Sequence, residues 1–323
     1  GTGESTSLDN NNPGSNIIKT VEIEIGGQKI DKHTGLWMEV WAELTEPNPT
    51  GAVAAGQGDA ILGGTLFQKM SGMGGVRDAN TTAGNLGTLF VPLQFWFCRN
   101  PGLALPLIAL QYHEVKVILQ HKITATIGAS GTPTNKLFCD YIYLDTDERR
   151  RFAQVSHEYL IEQVQEQTLT DGTGDLNFNH PVKELIWCAS SKCAVGAAQA
   201  DDIPLKGNYI LKLNGHDRFA SRDFRYFTRT QIWEHHSGAG GLDCTHSGTD
   251  NKNFSGQFND SIGVYSFSLK PEEHQPSGTC NFSRIDNARL ECSDATAAID
   301  KVFAVNYNVL RIMSGMGGLA YSN

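Results

Sequence analysis

The sequence predicts an all-β protein with two halves, each an antiparallel β-sandwich or jelly roll. Short runs that alternate apolar and polar residues recur along its 323 residues, and only two short stretches show a helical pattern. Glycine contributes 34 residues, above the usual share of about 7%, and separates these runs as turns between short strands require. Many strands without regularly intervening helices favour sandwiches or jelly rolls over βαβ units.

A hairpin and a helix are predicted near the start of the chain. Residues 20–25 alternate apolar and acidic side chains, Gly26-Gly27 is a two-residue turn signal, and residues 28–32 form the returning strand. Apolar residues then recur at every fourth position between 34 and 44. This pattern predicts a short amphipathic helix that is capped by Thr34.

The rest of the chain predicts ten further strands and a second helix. The helix covers residues 145–154, with Asp145 or Thr146 as its cap and arginines in its later turns. The composition changes most clearly at residues 171–175, so we expect one domain at 1–172 and another at 173–323. The predicted strands cover residues 89–98, 114–119, 136–144, 157–165, 182–188, 209–213, 224–233, 262–269, 289–292 and 302–312.

One six-residue sequence, MSGMGG, occurs twice, at 70–75 and at 313–318. An exact repeat suggests two related halves. Neither copy contains the Lys-Ser/Thr pair of a phosphate-binding loop, so nucleotide binding is not indicated.

Composition and charge exclude several classes of protein. The formal net charge is −9, so the chain has no basic footprint for nucleic acid, and its one arginine run, at 149–151, directly follows acidic residues. No stretch of about 18 apolar residues predicts a transmembrane helix. Seven cysteines without a CxxC pair indicate reduced, mostly buried thiols rather than a disulfide framework or a zinc site.

The candidate metal ligands are His235, His236, Cys244 and His246. Adjacent histidines on a strand point to opposite faces, so a surface turn is the favoured interpretation over a metal site. No metal or cofactor is predicted. A cupin-like metal site on a jelly roll is the best enzymatic alternative.

Two other clusters contain residue types that occur in catalytic sites. His216-Asp217 with Ser221 lacks the GxSxG context of a hydrolase nucleophile. Glu272-Glu273-His274 precedes a turn sequence, which favours a structural role at a strand corner. No catalytic residue is therefore predicted. Four glycosylation sequons provide surface hints only, at Asn80, Asn253, Asn259 and Asn281.

Several long segments carry a family resemblance. They are FVPLQFWF at 90–97, LALPLIALQYHEV at 103–115, YLDTDERRRFAQ at 143–154, NFNHPVKELIW at 177–187, LNGHDRF at 213–219, VYSFSLKPEEHQPSGTCNFSRID at 264–286 and FAVNYNVLRIMSGMGGLAYSN at 303–323. In this order they resemble the major capsid proteins of nucleocytoplasmic large DNA viruses, the group with phycodnaviruses, iridoviruses and mimivirus relatives. The similarity extends from about residue 17 to residue 323.

The resemblance implies a double jelly roll, with residues 1–172 and 173–323 as its two halves, and a structural rather than enzymatic role. It implies a homotrimer that forms a pseudo-hexameric capsomer and tiles an icosahedral shell. The implied partners are neighbouring capsomers, minor capsid or cement proteins, penton proteins and an inner viral membrane, with no direct contact to nucleic acid. The implied location is the virion, with assembly in the host cytoplasm.

Family members usually carry further strands before the one at residue 21. The resemblance therefore predicts that the first jelly roll lacks its N-terminal strands and that the beginning of the chain is missing. The alternatives to a major capsid protein are a minor or penton-type capsid protein and a jelly-roll protein that binds carbohydrate or uses a metal. The copy number in the virion distinguishes a minor or penton-type protein from a major capsid protein. Elemental analysis of the pure protein tests the metal-dependent alternative.

Large and charged side chains are the candidate packing or interface anchors. We expect core positions for the tryptophans. For the arginines two interpretations stay open: charge-paired contacts between jelly rolls or subunits, and a solvated helix face. These anchors are Trp37, Trp41, Trp96, Trp233, Arg149, Arg150 and Arg151.

Overall fold

The fold is seen in a computed structural model of the chain. It describes residues 12–47, 53–54, 65–77, 88–122, 135–169, 173–188, 205–238, 240–241, 260–294, 299 and 301–321. In these ranges the protein is mostly β-structure, as the sequence predicts.

Sixteen strands and six short α-helices make up this part of the chain. The strands are β1 Ile18–Ile25, β2 Gln28–Thr34, β3 Val53–Ala54, β4 Val76–Arg77, β5 Val115–His121, β6 His157–Thr168, β7 Gly174–Asp175, β8 Pro181–Cys188, β9 Asn208–Leu213, β10 His216–Asp217, β11 Arg222–Asp223, β12 Ile262–Ser266, β13 Cys280–Asn281, β14 Ala288–Cys292, β15 Lys301–Met313 and β16 Met316–Leu319. The helices are α1 Pro13–Asn16, α2 Gly35–Thr45, α3 Leu66–Ser71, α4 Trp96–Arg99, α5 Thr146–Gln154 and α6 Gln231–His235, with 3-10 turns at Pro101–Leu103 and Phe282–Arg284 and a π-helical turn at Tyr226–Thr230.

Three larger sheets organise the described strands. The first has the order β2-β1-β5, and the second has the order β10-β9-β14-β7 with β11 also paired to β9. The third and largest has the order β12-β8-β15-β16, with β13 paired to β8 and β6 paired to β15. The short strands β3 and β4 pair with each other in parallel.

Strand β15 is central to the packing. It pairs with β6 from Lys301 to Ile312, and with β8 and β16 along its other edge. Its side chains enter all three apolar clusters of the described core, because successive residues of a strand face opposite sides of the sheet. Strand β6 precedes residue 172 and β15 follows it, so one sheet joins the two predicted domains; the division at 172 stays a prediction.

The hairpin and the first helix form as the sequence predicts. Gly26 and Gly27 have φ angles of 58° and 83°, the left-handed values that a tight two-residue turn between β1 and β2 requires. A Cβ atom at Gly26 would come within 2.1 Å of the His113 ring, so the close approach of that ring also requires glycine. The hydroxyl of Thr34 accepts a hydrogen bond from the backbone N–H of Trp37 and caps α2.

Three predicted strands are wrong. Residues 224–233 are helical, because their buried positions, at 224, 227, 228, 231 and 232, recur with a helical rather than a strand period. Residues 89–98 enter α4 from a non-repetitive segment, and they bury Phe95 and Trp96 without pairing to a described strand. Residues 136–144 pair with no described strand either.

The two copies of MSGMGG adopt different structures. The first spans the end of α3, which is closed by Gly72 in a left-handed conformation with φ 65°. The second forms the hairpin between β15 and β16, with Ser314 and Gly315 at the turn. The repeat therefore does not correspond to a repeated structural unit.

Within the described ranges, the longest helix is α2 with 11 residues, and no helix has the length and apolar character needed to cross a membrane.

Candidate functional site

An extended segment at residues 135–144, here named the apolar arm, lies on the surface directly before α5. Five of its large apolar side chains are more than half exposed, at Leu137, Phe138, Tyr141, Ile142 and Tyr143, the last at 84%. The Phe138 ring contacts the half-exposed Phe90 ring, with their centroids 6.1 Å apart. A contiguous apolar segment exposed in this way is typical of a surface that binds another protein.

Helix α5 continues from the arm, and the polar chemistry of its start fixes where the helix begins. Asp145 accepts a hydrogen bond from the backbone N–H of Glu148 at 2.8 Å, and Glu148 accepts one from Asp145 in return, which is a capping box. The arginines 149–151 are exposed on this helix, and in the described part of the chain no carboxylate forms an ion pair with them. Their charge-paired contact with another subunit stays a prediction.

The predicted tryptophan anchors separate into two groups. Trp37, Trp41 and Trp96 are buried, and the first two lie on α2 and pack against the sheet of β8 and β15. Trp233 is 83% exposed, so the expected core position for it is wrong. Its segment is a helix that buries Ile232, and this places the neighbouring Trp233 on the outer side.

A buried charge network links β6, β8 and α4. The Glu162 carboxylate forms ion pairs with the Lys183 ammonium at 2.7 Å and with the Arg99 guanidinium at 2.5 Å. Lys183 is fully buried and also donates to the carbonyl of Pro271. Burial alone would raise the pKa of Glu162, but His274, Arg99 and Lys183 outweigh it and lower that pKa to about 2. Glu162 therefore carries a charge at neutral pH.

His236 joins two other carboxylates, in an arrangement here named the His236 clasp. Its Nε2 lies 3.0 Å from Glu184 and its Nδ1 lies 3.1 Å from Glu272, which also accepts from the Ser237 backbone. Burial disfavours the charged imidazolium, but the two carboxylates outweigh it and raise the pKa of His236 to about 9. The expected surface turn is therefore wrong for His236, whose side chain is buried because the charges around it are paired.

Glu39 on α2 is a third buried carboxyl group. It accepts hydrogen bonds from the Ser15 hydroxyl and from the backbone N–H groups of Gly74 and Gly75. Burial raises its pKa to about 7, and these hydrogen bonds only partly oppose that rise. Through these hydrogen bonds Glu39 connects α2 to the segment around α1 and to the turn after α3.

The other candidate chemistry does not assemble into a site in the part of the chain that is described. His216, Asp217 and Ser221 are exposed, and no described group of histidines, cysteines and carboxylates has the arrangement to hold a metal ion. Cys244 and His246 lie outside the described residues. Glu272 and His274 contribute to the two charge networks instead.

The sequons and cysteines give a mixed outcome. Asn80, Asn253 and Asn259 lie outside the described residues, and Asn281 is exposed at the start of a 3-10 turn; glycosylation stays a prediction. Five cysteines lie in the described ranges, and four of them, Cys98, Cys139, Cys280 and Cys292, are free thiols. Because Cys98 and Cys139 are exposed and only Cys188 is fully buried, the expectation of mostly buried thiols is wrong for those two.

Sequence reasoning missed the buried charges. Lys183 and Glu184 stand side by side in β8, where every residue from Val182 to Cys188 is buried. Two opposite charges inside an otherwise apolar strand were the signal, since such residues are rarely buried unless paired. The exposure of the arm left no comparable signal, because an exposed apolar segment and a half-buried strand have similar compositions.

Packed antiparallel β-sheets with a large apolar segment exposed at the surface are typical of a protein that associates with other protein chains. A family profile described as "Major capsid protein N-terminus" matches residues 2–145. A second profile, "Large eukaryotic DNA virus major capsid protein", matches residues 148–241 and 255–318.

Individual relatives agree with these profiles. The chain is 51% identical to the major capsid protein of Pyramimonas orientalis virus, with 96% of this chain and 78% of the relative covered. It is 35% identical to that of Paramecium bursaria Chlorella virus 1, with 96% and 80% covered. Among solved structures, a capsid chain of PBCV-1 matches with a TM-score of 0.72 and 32% identity, over 98% of this chain and 86% of that one.

The chain belongs to the family of large eukaryotic DNA virus major capsid proteins. Its fold is the double jelly roll of that family, and its role is structural, as part of the virion shell. The homologues are capsid proteins and not enzymes, which leaves the enzymatic alternative without support. A capsid role implies that copies of the chain associate with one another and with neighbouring capsid proteins.

Proposed function

We propose that this chain forms a homotrimer that acts as a pseudo-hexameric capsomer and tiles an icosahedral shell. The observation that carries the proposal is the exposed apolar arm before α5. Five large apolar side chains along ten residues would remain in water in a monomer, and burying each one stabilises an interface by about 1.5–3 kcal/mol.

The size of the arm suits an obligate contact. Stable trimers bury more than about 2,000 Å2, and their interfaces are more apolar than those of transient complexes. A segment in which aromatic and aliphatic side chains alternate can supply much of that area without rearranging the sheets. The buried charge networks lie elsewhere, so the arm can exchange water for a partner while the core stays unchanged.

Replacing Phe138 and Tyr143 together with serine is expected to convert the trimer into a monomer. Native mass spectrometry and sedimentation velocity measure the change, and circular dichroism checks that the β-structure is retained. Both side chains are mostly exposed in the single chain, so their loss should lower the free energy of unfolding of the monomer by less than about 1 kcal/mol.

Tyr112→Ser is the matched control, because Tyr112 is 77% exposed but lies outside the arm. It should leave the trimer intact. A double variant that remains fully trimeric would exclude the arm as the contact, and a wild-type chain that is strictly monomeric at high concentration would exclude the trimer.

The further partners follow from the same proposal. Neighbouring capsomers would meet the outer edges of the trimer, with minor capsid, cement and penton proteins at particular positions of the shell and a viral membrane beneath it. Assembly would take place in the host cytoplasm. The family membership supports these partners as a class, and the copy number in the virion distinguishes this role from that of a minor or penton protein.

A further inference from the structure

A second exposed surface, here named the arginine face, lies on the segment 218–233, far along the chain from the apolar arm. Four arginines and one tryptophan are exposed there, at Arg218, Arg222, Arg225, Arg229 and Trp233. The last three follow one another at intervals of four residues, so they share one side of the helical stretch that ends in α6. No lysine occurs in this segment.

Aromatic rings hold the arginine side chains in place. The guanidinium group of Arg222 lies 4.1 Å from the centre of the Tyr226 ring, and that of Arg218 lies 6.0 Å from the Phe267 ring. The charges of Arg218 and Arg222 also affect the phenol group of Tyr265. Burial raises the pKa of that phenol, and the two nearby positive charges partly oppose the rise. A guanidinium stacked on a ring is pre-ordered, so less side-chain entropy is lost when it binds an anion.

The arginines differ in whether they have an acidic partner. Arg229 forms a two-point ion pair with Asp260, and Arg225 lies 3.4 Å from Asp223. For Arg218 and Arg222, no ion pair with a carboxylate occurs within the described ranges. These two exposed positive charges stand out on a chain whose net charge is −9.

We propose that the arginine face is a contact between trimers, in which Arg218 and Arg222 bind carboxylates of a second copy of this chain and Trp233 packs beside them. The inference rests on the proposed capsomer and deepens it by assigning a surface to its neighbours. Charge complementarity identifies the occupant, since every other copy is strongly acidic and would otherwise be repelled.

The composition of the face supports a protein partner. Arginine, tryptophan and tyrosine are the residues that contribute most to protein interfaces, and a planar guanidinium matches a carboxylate with two parallel hydrogen bonds. A mixture of charge and a single large apolar side chain is typical of a non-obligate contact, whereas the arm has the apolar character of an obligate one. Two surfaces of different chemistry thus suit two successive steps of assembly.

The test measures the association of wild-type trimers by sedimentation velocity at increasing salt. Charge-paired association should weaken from about 0.1 M to about 1 M salt, as the Debye length falls from about 10 Å to about 3 Å, while the trimer itself persists. The double variant Arg218→Ala/Arg222→Ala should weaken the association of trimers about thirtyfold and remove most of its salt dependence. Arg284→Ala, at an exposed arginine outside the face, is the matched control and should change neither.

Trp233→Ala is a second variant of the arginine face, and it leaves the contacts between the arginines and the aromatic rings unchanged. It should weaken the association of trimers and leave the melting temperature unchanged, because the side chain is almost fully exposed. Unchanged association in both variants would overturn the proposal. A lipid-binding result would also overturn it. In that case the wild-type chain would bind vesicles of phosphatidylserine and phosphatidylcholine in a salt-dependent manner, and the arginine variant would lose this binding while its trimers still associate. The arginine face would then bind lipid.

Failure of this inference and failure of the proposed capsomer are distinguishable. The arm variant tests whether the trimer forms, and the arginine variant tests what trimers do at low salt. Trimers that form normally but show no salt-sensitive association would overturn the inference alone.

Discussion

Replacing Glu162 with glutamine should lower the free energy of unfolding by about 3–5 kcal/mol, the cost of leaving a buried ion without its partner. The carboxylate is buried and holds Lys183 and Arg99 at ion-pair distances. Arg99 and Lys183 bind different oxygens of the Glu162 carboxylate. The amide of glutamine is neutral and has only one acceptor oxygen, so it cannot compensate both cations. Chemical denaturation, followed by tryptophan fluorescence, measures the loss.

Glu158→Gln is the control for this experiment. Glu158 belongs to the same strand and pairs with Arg311 at 2.7 Å, but both side chains are about half exposed. An exposed pair of this kind contributes about 0–1 kcal/mol, so the control should remain close to the wild type. Equal losses in the two variants would show that burial of the Glu162 network contributes nothing beyond a surface pair.

The His236 clasp should make the free energy of unfolding fall as the pH rises toward 9. Its folded-state pKa of about 9 lies above the ordinary value of 6.5, so the charged imidazole stabilises the folded protein fully below pH 6.5. That contribution, about 3 kcal/mol, is lost as the pH rises through 9. In His236→Gln it should be absent, so the variant should be strongly destabilised at pH 6 and approach the wild type at alkaline pH.

Titrations of groups that do not contact His236 cancel in this comparison. The titration of Glu39 also lowers the free energy of unfolding as the pH rises from its ordinary pKa of 4.5 to its raised pKa of about 7. This loss is the same in the wild type and in the variant. His216→Gln is the control, since this histidine is exposed on β10. A constant difference in unfolding free energy between wild type and His236→Gln across pH 6–10 would contradict the charged clasp.

Local signals predicted the elements whose hydrogen bonds are local. The capping hydroxyl of Thr34, the capping box of Asp145 and the glycine turn at 26–27 all place their elements correctly. The helix at 224–235 was missed because its aromatic residues have a high strand propensity, although the spacing of its buried positions is helical.

The long-range features were beyond the reach of a single sequence. The identical MSGMGG segments form a helix end in one place and a hairpin in the other, because their tertiary neighbours differ. The partners of Glu162 come from residues 99 and 183, which no local pattern relates to it. The family resemblance supplied the double jelly roll, and the structure supplied the surfaces.

The position of β15 has a consequence for how the chain folds during synthesis. Each of the three apolar clusters includes residues of this one strand, between Val302 and Ile312. No cluster can therefore close until the ribosome has released residues more than 130 positions after β6, the strand with which β15 pairs along its length. Such high contact order implies slow, largely post-translational folding with open sheet edges in the meantime.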